Sequence, residues 1–474
     1  MVRSMADDDL PWQREMRVSI GKIASTSFLR FSPVPPRRSD PPTDRFPLPS
    51  GLRSTIAAMT MQQMSSSHES KPASRLRLRL FPRGEAAVRS GHPWIFRETI
   101  REQNREGQTG DLAIMYDRRD RFLAVGLYDA DSPIAVRILH QGEPTTLDRD
   151  WWLQQALTAK GRREGPVFRA GTDGGRWIHG ECEHFPGLVA DRYGDTLVVK
   201  LYTLAWLAHW TVIESVLREA FQPGHLVLRL SRNIQGEAIR SWNTHEGFLG
   251  EPGEETVVFE ELGLKFEAEV LRGQKTGFFL DQRENRARVG NVAAGKDVLN
   301  AFSFSGGFSL HAARGGARSV TDLDISAHAL ESGARNFALN TAKPKVAAAR
   351  REAVQADVFD WLDEAPADLT YDLIVVDPPS LAKRESQREG ALAAYERLTT
   401  LALRRLRPGG ILVAASCSAH VDSGTFHAVV SGAVRRECGD RWRECWTSEH
   451  PADHPASFPE ARYLKAVCIE RTAP

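Results

Sequence analysis

The sequence predicts an α/β protein with a C-terminal Rossmann-like domain, preceded by a small β-barrel and a small α+β domain. Three observations carry that prediction. From about residue 271 onward, apolar strands at 297–302, 319–323, 373–376 and 411–415 alternate with helical segments. Continuous apolar strands separated by helices indicate a parallel sheet covered on both faces. Residues 75–142 instead hold short strands at close spacing, punctuated by Gly and Asp, which suits a small barrel. Residues 147–250 mix helical and strand periodicity within one short stretch.

Taken in order, residues 1–74 are a different material. Pro33-Val34-Pro35-Pro36, Pro41-Pro42, Pro47-Leu48-Pro49 and Ser65-Ser66-Ser67 break any apolar periodicity, so a disordered extension is expected. The stretch lacks the apolar core of a signal peptide, and Asp7-Asp8-Asp9 is unusual for a transit peptide. Met59, Met61 and Met64 stand just before the folded part as alternative starts.

The barrel opens at 75–81, where Arg75, Arg77 and Arg79 share one face and Leu76, Leu78 and Leu80 the other, as in a half-buried strand. Strands at 91–96, 110–116, 122–128 and 134–139 follow. In the second unit a helix opens at Trp151. Segments 185–193 and 196–201 form a hairpin around Gly194-Asp195, then a helix covers 207–221 and a strand 226–230. A linking hairpin fills 251–270, turning at Leu262-Gly263. The Rossmann-like domain takes 271–474 and ends in a strand at 463–470.

Composition excludes several classes. A net charge of +1 over 474 residues gives no global attraction to nucleic acid, although a local basic face remains open. No apolar run is long enough to span a membrane. Five cysteines without C-x-x-C spacing argue against a disulfide framework and against a zinc ribbon. They fit a reducing cytoplasm, and no metal site is expected.

In an open α/β sheet, ligands bind beyond the carboxyl ends of the strands. Three polar clusters would meet there. The first is Asn300, Phe302, Ser303 and the turn Ser305-Gly306-Gly307. It is not G-x-G-x-x-G, the pattern that brings backbone against a pyrophosphate. Its hydroxyl and amide groups suit a phosphate-free ligand with an amino acid end. Asp324, 18 residues after Gly306 (324 − 306), ends the next strand, where a carboxylate can accept from ribose hydroxyls. S-adenosylmethionine satisfies both requirements and NAD only the second. The plainer alternative is a strand–helix turn with a capping serine. Asp357 would follow the third strand, either accepting from an adenine amino group or capping a helix. The polar groups Asp281, Gln282 and Arg283, after the pair Phe278-Phe279, are placed to close the cofactor pocket, or else Asp281 caps a helix.

The second cluster is Asp377-Pro378-Pro379-Ser380, a carboxylate on a loop that two prolines stiffen. Enzymes that methylate exocyclic amines usually follow such a pair with an aromatic; Ser380 and Leu381 stand here instead. The third is Cys417, at the end of an apolar strand between Ser416 and Ser418. A lone cysteine on such a strand is commonly a small buried hydrophobe. At this edge it can instead be a nucleophile. Pyrimidine C5 attacks a methyl sulfonium only after a thiolate adds to C6, a step that no N- or O-methylation needs.

These residues together resemble the RlmI family, S-adenosylmethionine-dependent methyltransferases that make 5-methylcytidine in large-subunit ribosomal RNA. The resemblance spans about 75–474. It runs through Arg89-Ser-Gly-His-Pro-Trp-Ile-Phe96, Phe185-Pro-Gly-Leu-Val-Ala-Asp-Arg-Tyr193 and Thr276-Gly-Phe-Phe-Leu-Asp-Gln-Arg283. It continues through Asn300-Ala-Phe-Ser-Phe-Ser-Gly-Gly-Phe308, Asp377-Pro-Pro379, Ser416-Cys-Ser418, Asp453-His-Pro455 and Pro459-Glu-Ala-Arg-Tyr-Leu-Lys465. It implies a PUA domain at 75–142, an EEHEE-type α+β domain at 147–250 and a class I methyltransferase domain at 271–474. It also implies Cys417 as the covalent nucleophile, Asp377 touching the cytosine, and ribosomal RNA as partner; a homodimer is compatible with it. Arg75, Arg77, Arg79 and Lys275 are the candidate RNA contacts, with a solvated strand face as the commoner explanation for the three arginines. Two departures stand out: Leu381 after the Asp-Pro-Pro loop, and Ala419-His420-Val421 where better-known members carry Gly-Leu-Met. Two rival readings stay open, a methyltransferase acting on a guanine ring nitrogen and a non-catalytic RNA-binding assembly factor.

Overall fold

The computed structural model describes residues 75–473; the expected disordered extension and its alternative starts lie outside the described residues. The first sheet has six strands in the order Trp94–Phe96, Ile134–Gln141, Phe122–Tyr128, Leu112–Tyr116, Leu76–Leu80, Ile100–Gln103. Leu76, Leu78 and Leu80 are buried while Arg77 and Arg79 face outward, the alternation read from the sequence. Two elements here escaped that reading. The helix Pro82–Arg89 is only eight residues long and starts with proline in its first turn. The strand Ile100–Gln103 is exposed beyond its first residue, so it carries no apolar signature.

The second unit is a five-stranded sheet in the order Gly247–Phe248, His225–Leu230, Thr196–Leu201, Leu188–Tyr193, Gly174–His179. Helices Arg149–Arg163, Trp210–Phe221 and Arg232–Trp242 cover it. The predicted hairpin is present, with Tyr193 opposite Thr196. The strand Gly174–His179 was not expected, because it opens on two glycines. Their absence of side chain has a cause: a Cβ on Gly174 would lie 2.1 Å from the Phe259 ring. Phe259 belongs to the linking hairpin, Thr256–Glu261 with Leu264–Glu269. Phe259, Leu264 and Phe266 of that hairpin are buried in one cluster with Val198 and Val227 of the middle unit and Val298 and Val320 of the C-terminal sheet. The middle unit and the C-terminal sheet thus share one core.

The C-terminal sheet has seven strands: β1 Asp297–Ala301, β2 Ser319–Asp324, β3 Arg350–Gln355, β4 Tyr371–Val376, β5 Leu406–Ser416, β6 Trp442–Ser448 and β7 Lys465–Arg471. Their order is 3-2-1-4-5-7-6. Strands β1 to β5 pair in parallel, and β7 runs antiparallel to both of its neighbours. β6 was missed because its residues are half-exposed or exposed along its whole length. The strand order reverses between β1 and β4, which opens a crevice beyond their carboxyl ends. Residues 302–306 and 377–380 line that crevice, and Cys417 follows β5 beside it. The first unit reaches this domain too: Trp94 meets Phe458 edge-on at 5.3 Å, and His92 Nε2 lies 3.4 Å from Glu460.

Candidate active site

The turn after β1 is wound by left-handed backbone at Phe302 (φ 59°), Phe304 (φ 47°) and Gly306 (φ 73°). Asp324, at the end of β2, accepts the backbone N–H of Phe304 and of Ser326, each at 2.9 Å. It therefore fixes both the turn and the start of the helix Ala327–Ala338. A Cβ at Gly306 would stand 3.4 Å from the Asp322 carboxylate. The hydroxyls of Ser303 and Ser305 are buried without a partner. Buried polar atoms normally find one, so these two fit a polar ligand seated on the turn. The donor set suits the amino acid end of S-adenosylmethionine.

Other candidates have different roles. The Asn300 amide donates to Ser309 Oγ at 3.0 Å and approaches Asp322 at 3.5 Å, so it braces the turn from beneath. The Phe302 ring meets Phe359 edge-on at 6.3 Å. The Asp357 carboxylate accepts from the Phe359 and Asp360 N–H groups at 2.8 and 3.2 Å, which is the helix-capping alternative. Arg283 was expected at the cofactor pocket. Its guanidinium is instead buried in a two-pronged pair with Asp453, at 3.1 and 2.6 Å.

At the substrate end, two loops are tied together. Ser418 Oγ accepts the N–H of Leu381 at 3.1 Å and of Ala382 at 3.3 Å, and lies 3.1 Å from Ser380 Oγ. Tyr395 bridges Ser416 and Ser418 at 2.8 and 2.9 Å. The chain bearing Asp377 is thereby held against the chain bearing Cys417, whose sulfur lies 4.0 Å from the Pro378 carbonyl. Sequence reasoning treated Ser416 and Ser418 only as neighbours of the thiol. Their pairing across the site left no signal in periodicity. Gln282 donates to Asp377 at 2.9 Å and is itself held by Asn285 at 2.7 Å; it was noted only as a polar group beside Asp281.

Electrostatics separate the two carboxylates. Burial, and then the nearby Asp281 charge, push the Asp377 carboxyl up to about 7. Burial opposes ionisation of Asp281 as well. Yet the Lys275 ammonium at 2.5 Å and the Tyr463 hydroxyl at 2.8 Å hold it well below the usual carboxylate range. Both of these contacts use Asp281 Oδ2; Oδ1 is buried and unpartnered. Burial, and then the Asp377 carboxylate, raise the Cys417 thiol to about 12. Paired titratable groups pushed apart in this way mark acid and base positions.

The candidate RNA contacts divide. Lys275, itself in left-handed backbone, lies inside the site against Asp281 and 4.5 Å above the Phe279 ring, not on an outer face. Arg79 is exposed but pairs with Glu102 at 2.9 Å and with Asp120 at 2.6 Å. Arg75 and Arg77 are exposed. His420 Nδ1 lies 3.4 Å from Glu385, and its Nε2 is buried without a partner.

Comparison with known proteins agrees with this geometry. A family model described as S-adenosylmethionine-dependent methyltransferase matches residues 208–462, and a PUA-like domain model matches 78–141. A relative from Deinococcus radiodurans named ribosomal RNA large subunit methyltransferase is 54% identical over 414 residues, covering 86% of this chain and 100% of the relative. One from Shewanella denitrificans, named ribosomal RNA large subunit methyltransferase I, is 34% identical and covers 83% and 98%. Among solved structures, an S-adenosylmethionine-dependent methyltransferase from Streptococcus mutans superposes with a TM-score of 0.69. It is 22% identical and covers 83% of this chain and 99% of its own. A further one, at a TM-score of 0.68, is a methyltransferase complexed with S-adenosylhomocysteine. The sheet order, the turn after β1 and these matches agree: the chain belongs to the RlmI-like family of S-adenosylmethionine-dependent methyltransferases.

Proposed function

We propose that this protein methylates C5 of a cytosine in large-subunit ribosomal RNA through a covalent adduct on Cys417. The observation that carries the reading is the Ser418 bridge, which holds a cysteine loop and a carboxylate loop together beside the cofactor turn. The names of the 54% and 34% identical relatives support ribosomal RNA as the substrate, and that substrate implies a cytoplasmic setting.

The target cytosine leaves its stack, at a cost of about a few kcal/mol. S-adenosylmethionine, bound at the turn, supplies an electrophilic methyl group. Cys417 gives its thiol proton to water, and the electron pair left on sulfur bonds to C6. Asp377, half protonated near pH 7, donates to the base edge and stabilises the electron-rich ring that results. C5 becomes nucleophilic and would take the methyl group, leaving S-adenosylhomocysteine. A base or water then takes the C5 proton, the C5=C6 double bond re-forms, and the Sγ–C6 bond breaks to release Cys417 as thiolate. The turn residues Ser303, Ser305, Gly306 and Asp324, with Asp281, would hold the cofactor. Arg75 and Arg77, with Arg79, would meet RNA phosphates on the barrel.

The test is transfer of labelled methyl to large-subunit RNA from cells lacking this protein, followed by nucleoside analysis. Labelled 5-methylcytidine is expected, reduced at least about 10³-fold by Cys417→Ala while S-adenosylhomocysteine still binds. Label in a guanine that is insensitive to the mutation would replace this chemistry with ring-nitrogen methylation. No label, with an empty cofactor site, would mean a non-catalytic assembly factor.

A further inference from the structure

Lys465 opens β7 and is 1% exposed. In the β5–β7 ladder it stands opposite Ser416, the residue before Cys417. Its ammonium donates to the Ser418 carbonyl and, at 3.1 Å, to the Tyr463 carbonyl. Burying an ammonium is costly unless it is paired. Among the described residues no carboxylate lies within ion-pair distance of it. An ammonium has three N–H donors, and the two carbonyls take two of them. This buried charge has no use in the scheme above.

We propose that Lys465 is a positioning residue for methyl transfer: its charge favours the thiolate of Cys417, and its two carbonyl bonds hold the turn that carries the sulfur. The proposal rests on the cysteine reading of the site. Ionisation breaks the Sγ–H bond and gives the proton to water. The electron pair left on sulfur is the one that bonds to C6.

The surrounding charges are mixed. Around Cys417, Asp377 and Asp281 oppose ionisation, whereas Lys275 and Lys465 favour it; the Tyr395 hydroxyl is also near. Around Lys465, burial lowers its affinity for a proton to about 8, while Cys417, Asp422 and Glu449 act the other way. His450, on the preceding segment, is kept near 4 by burial and so adds no charge at neutral pH. Lys465 is thus one of two cations that counter two carboxylates at the thiol.

The test is iodoacetamide labelling of Cys417 in the RNA-free full chain, followed by mass spectrometry of its peptide between pH 7 and 10. Lys465→Gln keeps donors for both carbonyls and removes the charge; Lys465→Arg keeps the charge. The expected result is labelling about tenfold slower in Lys465→Gln at pH 7, equivalent to about one pH unit in thiol ionisation, with the gap closing above about pH 8 as the parent ammonium itself loses its proton. Lys465→Arg should label within about threefold of the parent rate, and S-adenosylhomocysteine should bind both variants. Equal labelling of Lys465→Gln and parent at pH 7 would overturn the proposal. If Lys465→Gln does not fold, Lys465→Arg decides: parental labelling supports the charge role, and tenfold slowing overturns it. Failure of the cysteine reading itself would show separately, as full methyl transfer by Cys417→Ala.

Discussion

The Gln282 side-chain amide donates to Asp377 at 2.9 Å, linking the turn before the helix Arg283–Val292 to the Asp-Pro-Pro loop. Two segments almost a hundred residues apart thereby fix one carboxylate. Gln282→Ala leaves Asp377 free to rotate. We expect kcat to fall about 10- to 100-fold with little change in KM for S-adenosylmethionine. The lost hydrogen bond favours the ionised form, so the basic limb of the pH–rate profile should also move up. A variant with parental kcat would show that Asp377 needs no such support.

Asp377 also makes stability depend on pH. Its carboxyl lies at about 7 in the folded chain against an ordinary 3.8. Between these values the folded state holds a proton that the unfolded state has lost. Stability therefore falls as pH rises through about 4 to 7, and above that an ionised carboxylate is held where it is least favoured. Asp377→Asn should raise Tm at pH 8 by a few degrees, corresponding to about 1–2 kcal/mol after allowing for solvent access. At pH 4 the difference should vanish. Calorimetry at the two pH values checks this, and equal shifts at both would refute it.

Gly306→Ala places a methyl group on left-handed backbone, 3.4 Å from the Asp322 carboxylate and 3.5 Å from the Gly333 Cα. The backbone penalty is about 1–2 kcal/mol. Because the turn would relax to avoid it, S-adenosylhomocysteine affinity should drop about tenfold or more by calorimetric titration, with stability changing by no more than that penalty.

Arg283 and Asp453 form a buried two-pronged pair, and Asp453 also accepts the Arg176 N–H at 3.0 Å. Arg283→Ala strands that carboxylate among the units it joins. Destabilisation of about 3–5 kcal/mol is expected by urea unfolding. A loss below about 1 kcal/mol would show that solvent reaches the carboxylate once the guanidinium is gone.

On the barrel, Arg77→Ala should reduce the slope of log affinity against log salt for RNA by about one. Arg79→Ala should reduce it less, because Glu102 and Asp120 already neutralise that guanidinium. Filter binding across a salt series separates the two, and identical slopes would contradict the assignment.

The parallel strands could be read directly because β1, β4 and β5 are apolar on both faces, a pattern that only a covered sheet explains. The Leu76–Leu80 alternation and the hairpin at Gly194-Asp195 were equally legible, since each is a local rule. What stayed hidden depends on partners distant in sequence. β6 is an edge strand with exposed, charged residues, and its strand character comes from the neighbour that pairs with it; β3, the other edge, was expected only as the strand before Asp357 because it too lacks an apolar face. Cys417 and Asp377 were visible as motif residues at strand ends. The Asp453 partner of Arg283, the Ser418 bridge and the Lys465 ammonium were not, because nothing in spacing announces a contact across more than thirty residues.

Residues 449–464 form a shared wall. On one side Phe458 and Glu460 receive Trp94 and His92 of the barrel; on the other Tyr463 reaches Asp281 and its carbonyl takes Lys465. The barrel is therefore not a handle that can be unscrewed from a self-sufficient engine. Cutting the chain after residue 142 would bare an aromatic seam on the back of the catalytic pocket and loosen the segment that anchors its charges. Any attempt to graft another RNA-binding module onto this catalytic half would have to rebuild that seam first.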